Sequence, residues 1–229
     1  MSSSRPDADH SSPAARPRRA WGSLSRAQIV SRGLEIARDE GMQALTIRRL
    51  ASDLGASRMA LYRHVPDKEA LVDLVMDAIA EHDIVPLDVD EGPWQQRLRR
   101  LAADMRRELA ARPGLVDILM TRAHHGPGAL RLVDSVLGIL ADAGLGERQA
   151  ARHYLIFVDL VLGRLHRETH GDPVDHHRTA SLVALAEEAD GHPRLRAALP
   201  HLRDLTPEQI LESELDMLIL AVETAARRT

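Results

Sequence analysis

Three side chains with different chemistries share one side of a short predicted helix. Leu61 and Val65, which are four residues apart, mark the apolar side of that helix. The opposite side carries Met59, Tyr62 and Arg63, roughly 100 to 200 degrees away at about 100 degrees per residue. Arginine can bind guanine through two hydrogen bonds, tyrosine can bond a phosphate or stack, and methionine can contact a thymine methyl group. The pattern predicts binding to double-stranded DNA, and the alternative is the solvated face of an ordinary helical hairpin.

Two short helices separated by a glycine position this face. Thr46 can cap the first helix, and Gly55 ends it because glycine reaches the left-handed conformation of a helix C-terminus at little steric cost. Ser57 can cap the second helix, and Pro66 ends it because the residue before a proline is pushed out of helical geometry. This order of signals predicts a helix-turn-helix.

Two further helices flank the helix-turn-helix. A capping box at Ser25 begins a helix that ends at Gly41, and this helix supplies the third member of an N-terminal three-helix domain. Asp67 can cap a fourth helix that runs to about Asp83 and links the two parts of the chain. Its N-terminus beside Lys68 favours a phosphate, because free backbone amides and the helix dipole both attract an anion.

Positive charge is concentrated at the same end of the chain. Residues 1–70 contain 12 Arg and Lys against 8 Asp and Glu, whereas residues 71–229 contain 18 against 26. The overall net charge of −4 therefore conceals a basic N-terminal end and an acidic remainder. Such a division suits a protein that places one end on DNA phosphates.

Composition excludes several other classes. The chain contains no cysteine, which rules out disulfide scaffolds, cysteine-ligated zinc and thiol catalysis. No apolar run approaches the roughly 18 to 20 residues that cross a bilayer, and the N-terminus lacks the apolar core of a signal peptide. We therefore expect a cytoplasmic protein with no membrane partner and no cofactor.

The chain divides into three predicted regions. Residues 1–20 are rich in Ser, Pro, Ala and Arg without an apolar period, so we expect a disordered basic tail. Residues 21–84 form the helix-turn-helix domain with its linker helix. Residues 85–229 are expected to form a helical domain, since every strong period in them is helical. The predicted fold class is all-α.

Two C-terminal helices are apolar on nearly all sides, at 151–165 and at 217–222. A helix of this kind must be covered all round, and a second copy of the chain is the simplest cover. We expect a homodimer held by a four-helix interface, and the alternative is that both helices lie at the centre of a monomeric bundle. The predicted interface residues are Tyr154, Val158, Leu160, Val161, Leu211, Leu215, Leu218 and Val222.

The N-terminal third resembles the TetR family of transcriptional regulators. The matching positions are the helix 25–40, the turn at Gly41, the run 45–51, and the segments 54–57 and 61–68. The segments 94–113 and 128–163 are similar to the effector domain of the tetracycline-repressor-like subgroup. This resemblance implies a homodimeric repressor that leaves its palindromic operator when a small molecule enters the C-terminal domain.

The resemblance also implies particular site residues. Arg63 and Met59 differ from the residues common in the family at these positions, so it implies no operator sequence. The implied DNA contacts are Arg48, Ser57, Arg58, Met59, Ala60, Tyr62, Arg63, His64 and Lys68. The residues on helices that would enclose a mostly apolar effector are Met105, Met120, Leu137 and Phe157, with His124 as a candidate polar group.

Two other functions remain open on the sequence. A helical metal-dependent hydrolase could use His166 and His170, which are four apart on one helical face, with Glu168 or Asp172 nearby. No H-E-x-x-H frame supports that chemistry, and no metal site is predicted. The second alternative is an architectural DNA-binding protein without a ligand, which requires a solidly packed C-terminal domain.

Overall fold

The computed structural model describes residues 24–85, 91–122, 126–169, 184 and 192–228. Every regular element in these ranges is a helix, which confirms the all-α prediction. The N-terminal part consists of α1 (Arg26–Asp39), a 3₁₀ turn (Met42–Ala44), α2 (Ile47–Leu54), α3 (Arg58–Tyr62), α4 (Lys68–Ala78) and a π-helical segment (Ile79–Ile84) that continues α4. The C-terminal part consists of α5 (Trp94–Ala110), α6 (Leu115–Thr121), α7 (Pro127–Asp142), α8 (Glu147–Thr169), α9 (Pro193–Asp204) and α10 (Pro207–Ala226).

Side-chain caps fix where the N-terminal helices begin. Ser25 and Gln28 form the predicted capping box at the start of α1. The hydroxyl of Thr46 accepts a hydrogen bond from a backbone amide of α2, and the hydroxyl of Ser57 does the same for α3. Gly55 ends α2 in the left-handed region at φ 61°, where a side chain would be strained. The helix-turn-helix predicted from the sequence is confirmed.

Three elements differ from the sequence prediction. The second helix of the motif was expected to reach Pro66, but α3 ends at Tyr62 and a turn follows, in which the His64 amide donates to the Leu61 carbonyl at 2.8 Å. The linker helix was expected to be α-helical to about Asp83, but its last turns are π-helical. The helix α9 was not predicted, since Pro200 lies inside it and weakens the sequence signal.

The buried side chains form one continuous cluster that runs from Ile29 in α1 to Val222 in α10. In the N-terminal part α1 packs on α2 and α4, and α2 packs on α3. In the C-terminal part α8 packs along α10, α5 and α7, while the π-helical segment packs against α5 and α7. Because the core is continuous, the division of the chain at residues 84 and 85 stays a prediction.

Most of the predicted interface residues lie inside the chain instead of on its surface. Val161, Leu211, Leu215, Leu218 and Val222 are buried by contacts within one copy, because α8 and α10 pack on each other through these side chains. These five side chains have little surface left for a partner, and their role in an interface stays a prediction. The exposed apolar residues of the two helices are Leu155, Ile156, Met217 and Leu220.

No helix in the described ranges is both long enough and apolar enough to cross a membrane. The predicted basic tail, residues 1–20, lies outside the described residues.

Candidate DNA interface and ligand cavity

The helix α3 presents the face that the sequence predicted. Leu61 is fully buried and Val65 is nearly so, whereas Met59 is 72% exposed and Tyr62 is 45% exposed. Arg63 follows in the turn after α3 and is also exposed. The cap at Ser57 fixes the start of the helix, and the buried Leu61 fixes its rotation, so these three side chains are held out toward solvent.

Four exposed cations surround this face. Arg48 projects from α2, Arg58 from the first position of α3, Arg63 from the turn and Lys68 from the first position of α4. In the described part of the chain none of the four makes an ion pair. Guanidinium and ammonium groups without a protein partner are available to phosphates.

Other arginines of the same domain serve its internal structure. Arg49 bonds Glu40 at 2.6 Å and Asp53 at 3.1 Å, and Arg32 of α1 also bonds Asp53, at 2.6 Å. The hydrogen bond from Arg32 lowers the pKa of the Asp53 carboxyl and outweighs the opposing effect of burial. These contacts join α1 to α2, so the domain divides its arginines between an internal set and an outward set.

The remaining predicted DNA contacts lie in α3 and at its two ends. Ser57 is exposed and its hydroxyl accepts the Ala60 amide at 3.2 Å, while Ala60 itself is half-buried. His64 is exposed in the turn after α3. Asp67 caps α4 through the Ala70 amide at 2.7 Å. Eight of the nine predicted positions are thus exposed and Ala60 is half-buried, and their role in DNA binding stays a prediction.

Two of the contacts between this domain and the C-terminal part lie at the turn between α5 and α6. The Met42 amide donates to the Pro113 carbonyl at 2.8 Å, in the turn between α5 and α6. The preceding residue, Arg112, is fully buried, and its guanidinium bonds Asp83 of the π-helical segment and Glu108 of α5. The turn that touches the DNA-binding domain is therefore held by a buried cation.

A cavity of about 360 Å³ lies behind the end of α4 and among the C-terminal helices. This volume falls at the small end of the range typical of ligand sites. Its walls come from α4 with the π-helical segment and from α5, α6, α7 and α8. The lining residues are Met76, Ile79, Ala80, Ile84, Met105, Leu109, Leu115, Leu119, Arg122, Ala129, Leu130, Leu132, Val133, Val136, Tyr154, Phe157, Val158 and Leu162.

The predicted ligand residues meet this cavity only in part. Met105 and Phe157 belong to its wall. Met120 is 50% exposed and lies outside the wall, because its neighbour Leu119 occupies the inner side of α6. Leu137 packs against the core outside the cavity. Met120 and Leu137 therefore lie outside this cavity, their role in ligand binding stays a prediction, and His124 lies outside the described residues.

Three of the lining residues that were not predicted as ligand contacts are informative. Tyr154 and Val158 were predicted at the dimer interface, but they line the cavity because α8 turns this face inward. Arg122 was not predicted at all. It directly follows the short apolar helix α6, and nothing in its spacing indicates whether it points inward or to solvent.

The histidine pattern that suggested a metal site is only partly described. His166 lies 3.4 Å from the Asp117 carboxylate, between the Nδ1 and Oδ1 atoms. Across the described ranges no three His, Asp or Glu side chains are placed to hold one metal ion. His170 and Asp172 lie outside the described residues. The hydrolase hypothesis therefore gains no ligand set from these ranges.

Similarity to known proteins covers both parts of the chain. The model of bacterial regulatory proteins of the tetR family matches residues 29–75, and that of the tetracyclin repressor-like C-terminal domain matches residues 85–224. The transcriptional repressor DrrR1 of Streptomyces coeruleorubidus is 29% identical over 61% of this chain and 52% of its own length. An HTH-type transcriptional regulator of Saccharopolyspora erythraea is 32% identical over 77% of this chain and 75% of its own length.

The fold is similar to that of a solved regulator. Apo ActR from Streptomyces coelicolor superposes with a TM-score of 0.76 at 23% identity, over 91% of this chain and 99% of that one. ActR in complex with actinorhodin superposes with a TM-score of 0.72 at 24% identity, over 90% and 99% of the two chains. The two domain matches together span the helix-turn-helix and most of the cavity wall, and the chain therefore belongs to the TetR family of bacterial regulatory proteins.

Proposed function

We propose that the chain is a repressor that binds a palindromic operator as a homodimer and releases it when a small molecule fills the cavity. The observation that carries the proposal is the arrangement along α4. One end of this helix joins the exposed α3 surface, and the other end continues into the wall of the cavity. Occupancy of the cavity can therefore bear on the position of the DNA-binding domain.

The DNA-binding part of the proposal rests on charge and exposure. Tyr62 and Lys68 reach phosphates, which fix the register of the protein on the duplex, and Arg63 reaches a base edge, which supplies sequence preference. In a symmetric dimer the two α3 helices enter successive major grooves about one helical turn apart, so the operator has matching half-sites. The proposal places the protein in the cytoplasm, where bacterial DNA lies.

Operator binding is tested with single replacements in the α3 surface. Tyr62→Ala and Lys68→Ala should weaken binding to most sequences, whereas Arg63→Ala should cost about 1–3 kcal/mol and also relax base preference. Arg49→Gln is the matched control, because Arg49 lies in the same domain and its guanidinium is bound to Glu40 and Asp53. DNase footprinting and fluorescence anisotropy on the flanking promoter DNA measure both effects. Affinity that is equal in all four variants would contradict the assignment.

The dimer interface of this proposal uses the exposed sides of α8 and α10. Ile156, Leu160 and Gly163 recur at helical spacing on α8, and a side chain built at Gly163 would meet open space. Met217 and Leu220 recur in the same way on α10, and both are more than half exposed. Because α8 and α10 pack side by side, these residues offer a two-helix apolar surface that a second copy covers isologously.

The assembly is tested by placing charge on that surface. Met217→Glu combined with Leu220→Glu should convert the dimer into a folded monomer, because both side chains are exposed within one copy. Leu202→Glu, at an exposed apolar residue of α9, is the control and should leave the dimer intact. Light scattering measures the mass and circular dichroism the helix content. A wild-type protein that is monomeric at micromolar concentration would refute the dimer.

The effector part of the proposal rests on the cavity. An architectural protein without a ligand requires a solidly packed C-terminal domain, whereas this one encloses about 360 Å³. ActR, which has the same fold, has been solved with actinorhodin bound. Both observations support a small-molecule effector over the ligand-free alternative. This step is tested by a compound that raises the melting temperature and also releases the operator. A compound that stabilises the protein without releasing the operator would contradict the claim that ligand binding controls DNA binding.

A further inference from the structure

The polarity of the cavity wall indicates the chemical class of the effector. Within the described ranges only two polar side chains, Arg122 and Tyr154, border the cavity. The other lining residues are aliphatic, Met or Phe. A neutral apolar ligand would satisfy these walls but would use neither of the two polar side chains.

Arg122 is set up to receive a second carboxylate. It caps the end of α6, where its amide donates to the Ile118 carbonyl at 3.0 Å, and this fixes its backbone at the cavity wall. Its Nη2 atom bonds the carboxylate of Asp73, and in the described part of the chain the Nε and Nη1 donors have no protein acceptor. A guanidinium has five N–H donors and stays charged at physiological pH. One of its edges is therefore available to an anion.

The contact with Asp73 is exchangeable. The side chains of Arg122 and Asp73 are 33% and 42% exposed, so water can reach both. Ion pairs of this kind contribute little to stability, whereas a carboxylate that bonds a guanidinium through both oxygens is held more strongly. The carboxylate of Asp73 is accessible to water with or without Arg122, while the carboxylate of an apolar ligand would be carried to the guanidinium by the burial of its tail.

Tyr154 offers a second polar group on the α8 wall. Burial raises the pKa of its phenol, so the hydroxyl stays neutral and can donate a hydrogen bond at physiological pH. The volume sets the size of the ligand. At roughly 30 Å³ for each water molecule, 360 Å³ holds about a dozen waters, which suits a molecule with about a dozen non-hydrogen atoms.

We propose that the effector is an apolar monocarboxylic acid whose carboxylate takes Arg122 from Asp73 while its tail fills the apolar part of the cavity. The inference rests on the proposed function and specifies the ligand of the same site. Since Asp73 belongs to α4, the exchange removes a contact between the cavity wall and the helix that carries the DNA-binding domain. A neutral molecule with the same tail fills the cavity without breaking that contact.

The test compares acids with neutral molecules of the same shape. Decanoic acid is paired with decanol, and naphthoic acid with naphthamide, so that the result does not depend on one tail. Titration calorimetry on the full chain should give at least tenfold tighter binding for one acid than for its neutral partner. Only that acid should release operator DNA.

Two variants with opposite expected effects on acid affinity test the roles of Arg122 and Asp73. Arg122→Gln should lower acid affinity tenfold or more and leave the affinity for the neutral partner unchanged, which also shows that the cavity is intact. Asp73→Asn should raise acid affinity severalfold, because the guanidinium no longer has a competing carboxylate. Arg99→Gln, which removes a surface arginine paired with Asp216, is the control and should change neither.

The outcomes separate this inference from the proposed function. Equal binding of acid and neutral partner, an acid preference that survives Arg122→Gln, or no binding of either acid would overturn the ligand class. Operator binding by the same preparations is measured without ligand and tests the repressor directly. If operator binding is intact and acid preference is absent, only the ligand class fails. If no operator is bound, the proposed function fails.

Discussion

Replacement of the buried Arg112 should destabilise the protein more than replacement of any surface arginine. Its guanidinium is fully buried, bonds the carboxylates of Asp83 and Glu108, and also donates to the Glu108 carbonyl at 2.8 Å. Arg112→Met keeps an unbranched apolar side chain in the same space and removes the charge. Asp83 then loses its cation, and Glu108 keeps only its contact with the exposed Arg107.

The expected magnitude follows from the exposure of the three groups. Removing one partner of a buried ion pair costs about 3–5 kcal/mol, because the other charge stays buried and unpaired. The side chains of Asp83 and Glu108 are 24% and 14% exposed, so partial rehydration places the loss near the lower end, at about 3 kcal/mol. For a chain of this length each kcal/mol lowers the melting temperature by roughly 2–4 °C. Arg112→Met should therefore melt about 6–12 °C below the wild type.

Chemical and thermal unfolding at one fixed protein concentration measure this loss, since dimer stability depends on concentration. Arg99→Met is the control, because its pair with Asp216 is exposed and should contribute at most about 1 kcal/mol. Adding Asp83→Asn and Glu108→Gln to Arg112→Met removes the two charges that lost Arg112 and should recover much of the stability. Two results would refute the reasoning. The first is a loss of unfolding free energy no larger than that of Arg99→Met, and the second is a triple variant that is less stable than Arg112→Met.

Three further predictions concern pH, packing and salt. Burial raises the pKa of Glu108, but hydrogen bonds from two neighbouring arginines outweigh it and hold the pKa below its ordinary value. This stabilisation is present above the unfolded pKa and is lost as pH falls through the folded value, so the urea midpoint of Glu108→Gln should decline less than that of the wild type below about pH 5. Gly128→Ala should lose about 1–3 kcal/mol in urea unfolding, because its Cβ would lie 2.2 Å from a backbone oxygen of α4. Gly138→Ala, on the same helix in open space, should gain roughly 0.5–1 kcal/mol. Lys68→Ala should reduce the slope of log affinity for operator against log salt by about one, as anisotropy titrations would show, and an unchanged slope would exclude a phosphate contact.

Local chemistry explains why the helix-turn-helix was readable from the sequence. The caps at Ser25, Thr46 and Ser57 act on amides two or three residues away, and Gly55 needs only its own backbone freedom. Such signals do not depend on which distant segments pack together. The turn after Tyr62 was missed because Pro66 permits a helix up to its predecessor but does not require one.

The cavity and the interface depend on how the helices pack, which hydrophobic periodicity alone does not determine. A helix that is apolar on all sides, such as α8, has several faces that can turn inward, and the sequence gives each of them equal hydrophobicity. The packing of α10 on α8 decides that Val161 is covered within the chain and that Ile156 is exposed. Arg122 illustrates the same limit, since only the placement of α6 brings its charge to the cavity wall.

The ion pair within α4 is more exposed than the ion pair just beyond its C-terminal end, and this difference affects how a ligand could act. Near the middle of the helix, Asp73 makes an exposed contact with Arg122, whereas Asp83 beyond its end is held by the buried Arg112. The turn at Arg112 also binds the DNA-binding domain directly, through Met42 and Pro113. A ligand that removes the Asp73 contact leaves the buried connections in place, so α4 is expected to turn about its C-terminal end while the domain stays attached. Perturbing Arg112 should therefore change operator affinity without ligand, whereas perturbing Arg122 or Asp73 should change mainly the response to ligand.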